Sequence, residues 1–107
     1  MIVYCSIVEF IFYQMSTYRL YCGRSINDGG YVTNQDLALF EKILNDDYQL
    51  DFTRIYAQGS WQSQVEDVVL YDIEGPLSDI KLASDRYKEL FKQQKIGLSR
   101  VQDISFI

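Results

Sequence analysis

The sequence predicts an α+β domain in which six elements follow one another in the order β-α-β-β-α-β. Two segments carry apolar residues at helical spacing, and four others alternate apolar and polar residues or are rich in β-branched and aromatic ones. Asn, Asp, Gly and Pro residues mark the breaks between these segments. The 107 residues, 48% of them hydrophobic, suit one globular domain with one core.

The first strand is predicted over residues 17–23, where TYRLYCG alternates apolar and polar positions. Turn-forming residues follow in RSINDGGY, and Thr33 with Asp36 then resembles a capping box at the start of a helix. An apolar stripe that includes Leu37, Phe40 and Leu44 occupies one face of this helix. The helix is expected to end near residues 45–47.

The remaining elements are predicted, in order, as a strand over residues 52–58, a strand over 65–73, a helix over about 78–93 and a strand over 96–107. Gly59 and Ser60 are expected to end the first of these strands. In the last strand, Ile104 and Phe106 are expected to share one face.

This order is the split βαβ, or ferredoxin-like, arrangement, in which two helices pack on one face of a four-stranded antiparallel sheet. The helices cover only one face of such a sheet. The other face must therefore be solvated, covered by the first segment, or paired with a second subunit.

Residues 1–14 are interpreted as an N-terminal extension that precedes a single domain over residues 15–107. Residues 2–13 form a β-prone run with little charge, which is prone to aggregation unless it is paired in a sheet. Two interpretations stay open. The segment is an extra strand that lengthens the sheet or reaches a partner, or it derives from an upstream start codon and the natural start is Met15.

Composition excludes several classes of function. A net charge of −5 argues against nucleic-acid binding, which needs clustered Lys and Arg. The absence of histidine excludes Ser-His-Asp and Cys-His catalysis and His-ligated metals. Cys5 and Cys22 are too few for a thiolate metal site and are expected to be buried free thiols. We expect no cofactor or metal, no secretion signal or membrane span, and a soluble, cytoplasmic protein.

The open face of the predicted sheet is the first candidate for a binding surface. The side chains assigned to it are Arg19 and Tyr21 on the first strand and Phe52, Arg54, Tyr56 and Gln58 on the second. Tyr and Arg are enriched at interface hot spots, and nine tyrosines with six phenylalanines exceed what one small core normally buries. A homodimer built on Arg19, Tyr21 and Phe52 is favoured over a small-molecule pocket, since two-fold homo-oligomers are common.

The second candidate lies near the predicted hairpin, where Trp61 and Glu66 occur. In an enzyme, Glu66 would act as a general acid or base in an aromatic pocket with Trp61, and Arg24 or Arg54 would hold an anionic substrate. In the structural interpretation, Trp61 caps the core and Glu66 pairs with an arginine across the sheet. The structural interpretation is favoured, because spacing identifies no second catalytic group.

Several short motifs occur in a fixed order along the chain: L-Y-C-G (20–23), G-Y-V (30–32), Phe40, Thr53, G-S-W (59–61), E-D-V-V-L (66–70), Tyr87, F-K-Q (91–93) and I-S-F (104–106). This pattern resembles the small bacterial proteins of domain-of-unknown-function family 3574, over about residues 18–106. The chain lacks the exported or lipid-anchored leader of many relatives and their usual proline-rich stretch before Thr53. The resemblance implies a compact α+β domain and assigns no reaction.

The sequence therefore predicts a non-enzymatic, self-associating α+β module that binds a protein partner or a small ligand. Arg54, Tyr56, Gln58 and Trp61 are its candidate ligand-binding residues. The alternative is a small enzyme or ligand sensor with a pocket around Trp61 and Glu66.

Overall fold

The computed structural model describes residues 14–26 and 29–105. Its six elements are β1 (Gln14–Gly23), α1 (Asn34–Asp46), β2 (Phe52–Trp61), β3 (Gln64–Glu74), α2 (Leu77–Phe91) and β4 (Gly97–Ser105). The four strands form one antiparallel sheet in the order β2-β3-β1-β4. This confirms the predicted α+β, ferredoxin-like arrangement. The proposed extra N-terminal strand and the side chains of Ile104 and Phe106 lie outside what the structure describes.

Helix α1 begins as the sequence predicts. The Thr33 backbone N–H donates to Asp36 Oδ2 at 2.9 Å, and the Asp36 N–H donates to Thr33 Oγ1 at 3.2 Å. This capping box satisfies two backbone donors at the helix start. Leu37, Phe40 and Leu44 of the predicted apolar stripe are fully buried.

The β2–β3 hairpin is longer than the sequence predicts. Gly59 and Ser60 do not end β2, because they remain paired with Glu66 and Val65 and the strand continues to Trp61. The turn consists of Gln62 and Ser63, whose φ angles are 50° and 63°. Two central residues with positive φ match the twist of a two-residue hairpin, although this turn lacks the Asn or Gly that usually marks it.

The core lies between the two helices and the sheet, and aromatic rings form its centre. The Phe40 ring meets Tyr71 and Tyr87 edge-to-face, with centroids 5.5 and 5.0 Å apart. Tyr87 also meets Phe91 at 4.8 Å. Cys22 is a buried free thiol in this core, as expected. Among the described residues, no helix is both long and apolar enough to cross a membrane.

The two faces of the sheet carry different side chains from those predicted. Arg19 and Tyr21 lie on the open face, as expected, but four residues of β2 lie on the helix side: Phe52, Arg54, Tyr56 and Gln58. In the register of β2 with β3, Phe52 pairs with Ile73 and Tyr56 pairs with Val69, both of which are buried in the core. Paired residues point to the same face. The prediction for these four residues is therefore wrong.

The physical reason is that β2 is an edge strand. Its helix-side residues therefore stay partly exposed and keep a polar, aromatic composition; Tyr56, for example, is 52% exposed. Phe52 is the exception among them, since it packs on the core and meets Tyr71 edge-to-face with centroids 5.5 Å apart.

The end of α2 holds the end of β1 in place. The Tyr87 hydroxyl donates to the Gly23 carbonyl at 2.9 Å, and Gln93 Nε2 donates to the Ser25 carbonyl at 2.9 Å. Lys92 adopts a left-handed conformation with φ of 52°, which ends the helix and turns the chain. These contacts fix where the segment after β1 leaves the sheet.

Candidate functional site

Arg24 is a buried cation directly after β1. It is 7% exposed, and its Cζ lies 4.8 Å from the ring centroid of Tyr31 and 5.4 Å from that of Tyr56. Its Nε donates to the Val32 carbonyl at 2.9 Å and its Nη2 to Asn34 Oδ1 at 2.8 Å. Among the described residues, the guanidinium thus lies near two tyrosine rings and donates to two neutral oxygens.

Asp67 of β3 lies beside this cation. Its Oδ2 accepts a hydrogen bond from the Tyr31 hydroxyl at 3.1 Å, and its Oδ1 accepts one from Gln58 Nε2 at 3.2 Å. Desolvation and the hydrogen bond to Asp67 raise the pKa of Tyr31 above its ordinary value. The phenol therefore stays protonated and donates to the carboxylate.

An open pocket of about 260 Å³ lies between these groups. Its lining residues are Arg24, Asn34, Tyr56, Ala57, Asp67 and Val68. Asn34 is the first residue of α1, so the amino end of that helix borders the pocket. The pocket combines one buried cation, one carboxylate, one amide and one aromatic ring.

A second polar cluster adjoins the pocket residue Tyr56. Glu41 of α1 is 9% exposed; its Oε1 accepts a hydrogen bond from Arg54 Nη1, and its Oε2 accepts one from the Tyr71 hydroxyl at 2.7 Å. The Arg54 Cζ lies 5.2 Å from the ring centroid of Tyr56. Burial and the bond to Glu41 raise the pKa of Tyr71, and the bond to Glu41 raises that of Arg54.

The structure brings together three of the predicted ligand-binding residues. Arg54, Tyr56 and Gln58 share the helix side of β2, although only Tyr56 lines the pocket. The side chain of Trp61, the fourth predicted ligand-binding residue, is not among those the structure describes.

Glu66 is not brought to this site. It is adjacent to Asp67 on a regular strand, so its side chain points to the opposite face. A Cβ added at Gly23 would lie 2.8 Å from Glu66 Oε1, which agrees with that placement. Glu66 therefore lies on the opposite face of the sheet from Arg54, one of the two arginines that the predicted enzyme site combined with it.

On the open face, Arg19 forms a bidentate ion pair with Asp72 of β3. Its Nε and Nη2 donate to the two carboxylate oxygens at 2.7 and 2.9 Å. Tyr21 lies 3.3 Å from Ser99, hydroxyl to hydroxyl. The third predicted interface residue, Phe52, faces the helices instead.

Three residues of the pocket region were missed by the sequence analysis: Tyr31, Asn34 and Asp67. Asp67 carried a usable signal, because it interrupts the apolar positions on the core-facing side of a strand. Tyr31 and Asn34 lie around the helix cap, and no periodic pattern relates them to β2. Among residues 14–26 and 29–105, no group of three His, Cys, Asp or Glu side chains is arranged to hold a metal ion.

Comparison with known proteins gives structural neighbours only. No family model matches the chain, and no curated protein matches it. A phage SAM lyase in complex with S-methyl-5′-thioadenosine is 15% identical with a TM-score of 0.64, covering 86% of this chain and 90% of that one. A phage SAM lyase in the apo state is 14% identical with a TM-score of 0.62, covering 87% of this chain and 90% of that one.

A third neighbour is the divalent cation tolerance protein (Cut A1) from Thermus thermophilus. It is 9% identical with a TM-score of 0.50, covering 83% of this chain and 82% of that one. At such identities these likenesses show a shared fold, and function must be argued from the site itself.

Proposed function

We propose that the protein is a binding module whose pocket beside Asp67 takes a small ligand of the nucleoside class. The observation that carries the proposal is the arrangement of Arg24, Tyr56 and Asp67 around one pocket. Ligand sites combine a few fixed polar groups with an aromatic or apolar wall, and this pocket has both.

Each group in the pocket matches one part of a nucleoside. Tyr56 is 52% exposed, so the part of its ring that the guanidinium groups of Arg24 and Arg54 leave uncovered can contact a base. Each oxygen of Asp67 already accepts one hydrogen bond and has a further lone pair, so the carboxylate can also accept from the two hydroxyls of a ribose. The pocket volume of about 260 Å³ is slightly smaller than the range of roughly 300–1,000 Å³ for drug-sized ligands, which favours a small ligand.

One of the structural neighbours also supports this class. The phage SAM lyase was solved with S-methyl-5′-thioadenosine, which is an adenine nucleoside with a thioether. The identity of 15% transfers no residue, so the support is that this fold accommodates such a ligand.

The test is calorimetric titration of the protein with S-methyl-5′-thioadenosine and with adenosine. Tyr56→Leu removes the stacking surface and is expected to weaken binding by about tenfold or more. Asp67→Asn removes a charged acceptor and is expected to weaken it by about tenfold. Asp72→Asn, on the opposite face, is the matched control and should bind as wild type does. Wild-type protein that binds neither probe at millimolar concentration would contradict the proposal.

A second candidate function is catalysis on a sulfonium nucleoside, and the SAM lyase neighbour favours it. In this candidate function the protein is a small enzyme, as in the alternative that the sequence left open, but its active site is the pocket at Tyr56 and Asp67 and not one at Trp61 and Glu66. Incubation with SAM followed by chromatography would show S-methyl-5′-thioadenosine formed in proportion to protein. Release that persists at the wild-type rate in Asp67→Asn would indicate a contaminating enzyme.

We also propose that the protein pairs with a second copy through the open face of the sheet. Tyr21 and Ile55 are 43% and 36% exposed, respectively, and lie on that face. The Arg19–Asp72 pair leaves the middle of the face without net charge, so two acidic chains can approach there. Native mass spectrometry should show a dimer, and Ile55→Asp should shift it to monomer. A wild-type monomer at micromolar concentration would contradict this.

Membership in domain-of-unknown-function family 3574 and a cytoplasmic location complete the proposal. The contacts of Tyr87 and Gln93 with the end of β1 give these two residues of the resemblance a structural role, which supports it. An alignment of sequenced relatives that kept both residues would strengthen the assignment.

A further inference from the structure

Two guanidinium groups lie near the same aromatic wall of the pocket. The Cζ atoms of Arg24 and Arg54 are 5.4 and 5.2 Å from the ring centroid of Tyr56. In a chain of net charge −5, this is a local concentration of positive charge. Left uncompensated, it would favour anionic ligands.

Two carboxylates compensate this charge. Asp67 lies in the pocket with Arg24, and Glu41 forms an ion pair with Arg54. Glu41 is 9% exposed and also accepts the Tyr71 hydrogen bond at 2.7 Å, so its carboxylate is fixed in place. The charges of these four groups cancel.

We infer that Glu41 sets the charge preference of the pocket. By neutralising Arg54 next to Tyr56, it makes the pocket favour an uncharged nucleoside over the corresponding 5′-phosphate. This inference rests on the proposed function. Glu41 does not line the pocket and acts only through Arg54. It is therefore a positioning residue that determines which ligand the pocket prefers.

The experiment compares adenosine with adenosine 5′-monophosphate in wild-type protein and in Glu41→Gln. Glutamine keeps the shape and one oxygen acceptor, while Arg54 regains its net charge. The ratio of the two dissociation constants should shift toward the phosphate by about threefold to tenfold at low salt. The shift should shrink at high ionic strength, where exposed charges are screened.

A second variant is expected to shift the ratio of dissociation constants in the opposite direction. This opposite shift would show that the effect of Glu41→Gln is not caused by misfolding. Arg54→Gln removes the positive charge and leaves Glu41 uncompensated, so the ratio should shift against the phosphate. Asp72→Asn on the opposite face changes the net charge by the same amount as Glu41→Gln. It should leave the ratio within about twofold of wild type.

The outcomes separate the two claims. If adenosine binds and Glu41→Gln weakens both ligands by the same factor, Glu41 is merely structural and the inference is overturned. An equal shift in Asp72→Asn would overturn it as well, since the effect would then belong to net charge. If wild type binds neither ligand, the proposed function itself fails and the inference fails with it.

Discussion

Tyr71→Phe removes one hydroxyl from the buried contact between α1 and β3. Tyr71 is fully buried, and its hydroxyl donates to Glu41 Oε2 at 2.7 Å. The ring packs edge-to-face against Phe40 and Phe52, and phenylalanine keeps both contacts. The change therefore isolates the hydrogen bond to the carboxylate.

A hydrogen bond to a charged group contributes about 1.5–3 kcal/mol, and the loss here leaves a buried oxygen of Glu41 without that donor. We expect the free energy of unfolding to fall by about 2 kcal/mol. For a domain of this size, that corresponds to a decrease in Tm of roughly 8–16 °C.

The assay is urea unfolding followed by circular dichroism, on Tyr71→Phe, Glu41→Leu, which has no acceptor for the Tyr71 hydroxyl, and the double variant. Because the two residues share one bond, the losses should not add, and the coupling should be about 1 kcal/mol or more. A loss below about 0.5 kcal/mol in Tyr71→Phe, or additive losses in the double variant, would refute the reasoning.

Three further predictions concern stability. Phe40→Leu loses two edge-to-face contacts and should cost about 1–3 kcal/mol in urea unfolding, whereas Leu39→Ala, at a half-exposed neighbour, should stay within about 0.5 kcal/mol. Thr33→Ala removes the cap acceptor and should cost about 1 kcal/mol, while Thr33→Ser should preserve stability. Burial raises the pKa of Cys22 above its ordinary 9.0 and that of Tyr87 above 10.0. The native state therefore holds protons that the unfolded chain releases, so the contribution of these two groups to stability should be constant below about pH 8.5, and stability should fall at higher pH, less steeply in Cys22→Ala.

The element order could be predicted because it depends on local patterns. Alternation, helical spacing and the Thr33–Asp36 cap are properties of neighbouring residues, and the structure retains them. The Gln62–Ser63 turn was missed because neither residue is a usual carrier of positive φ. Gly59 was given too much weight as a breaker, since the pairing of β2 with β3 holds it extended.

The site was harder to predict because it depends on long-range packing. Alternation in β2 correctly separates its two sets of side chains, but it does not say which set faces the helices. That choice is fixed by the register with β3 and by Glu41 of α1, which supplies the carboxylate for Arg54. The burial of Arg24 likewise depends on Tyr31 and Tyr56, which are far apart from each other in the sequence.

The sheet order also constrains how the chain folds. The β2–β3 pair closes over a two-residue turn, so it can form quickly and independently of the rest. Strand β1 instead pairs with β4, and the register places Gln14 opposite Ser105, which joins the two extremes of the described chain. Closing so large a loop carries the greatest entropy cost in the sheet. We therefore expect β4 to dock last, and the edge it completes to be the first part of the sheet to open to hydrogen exchange.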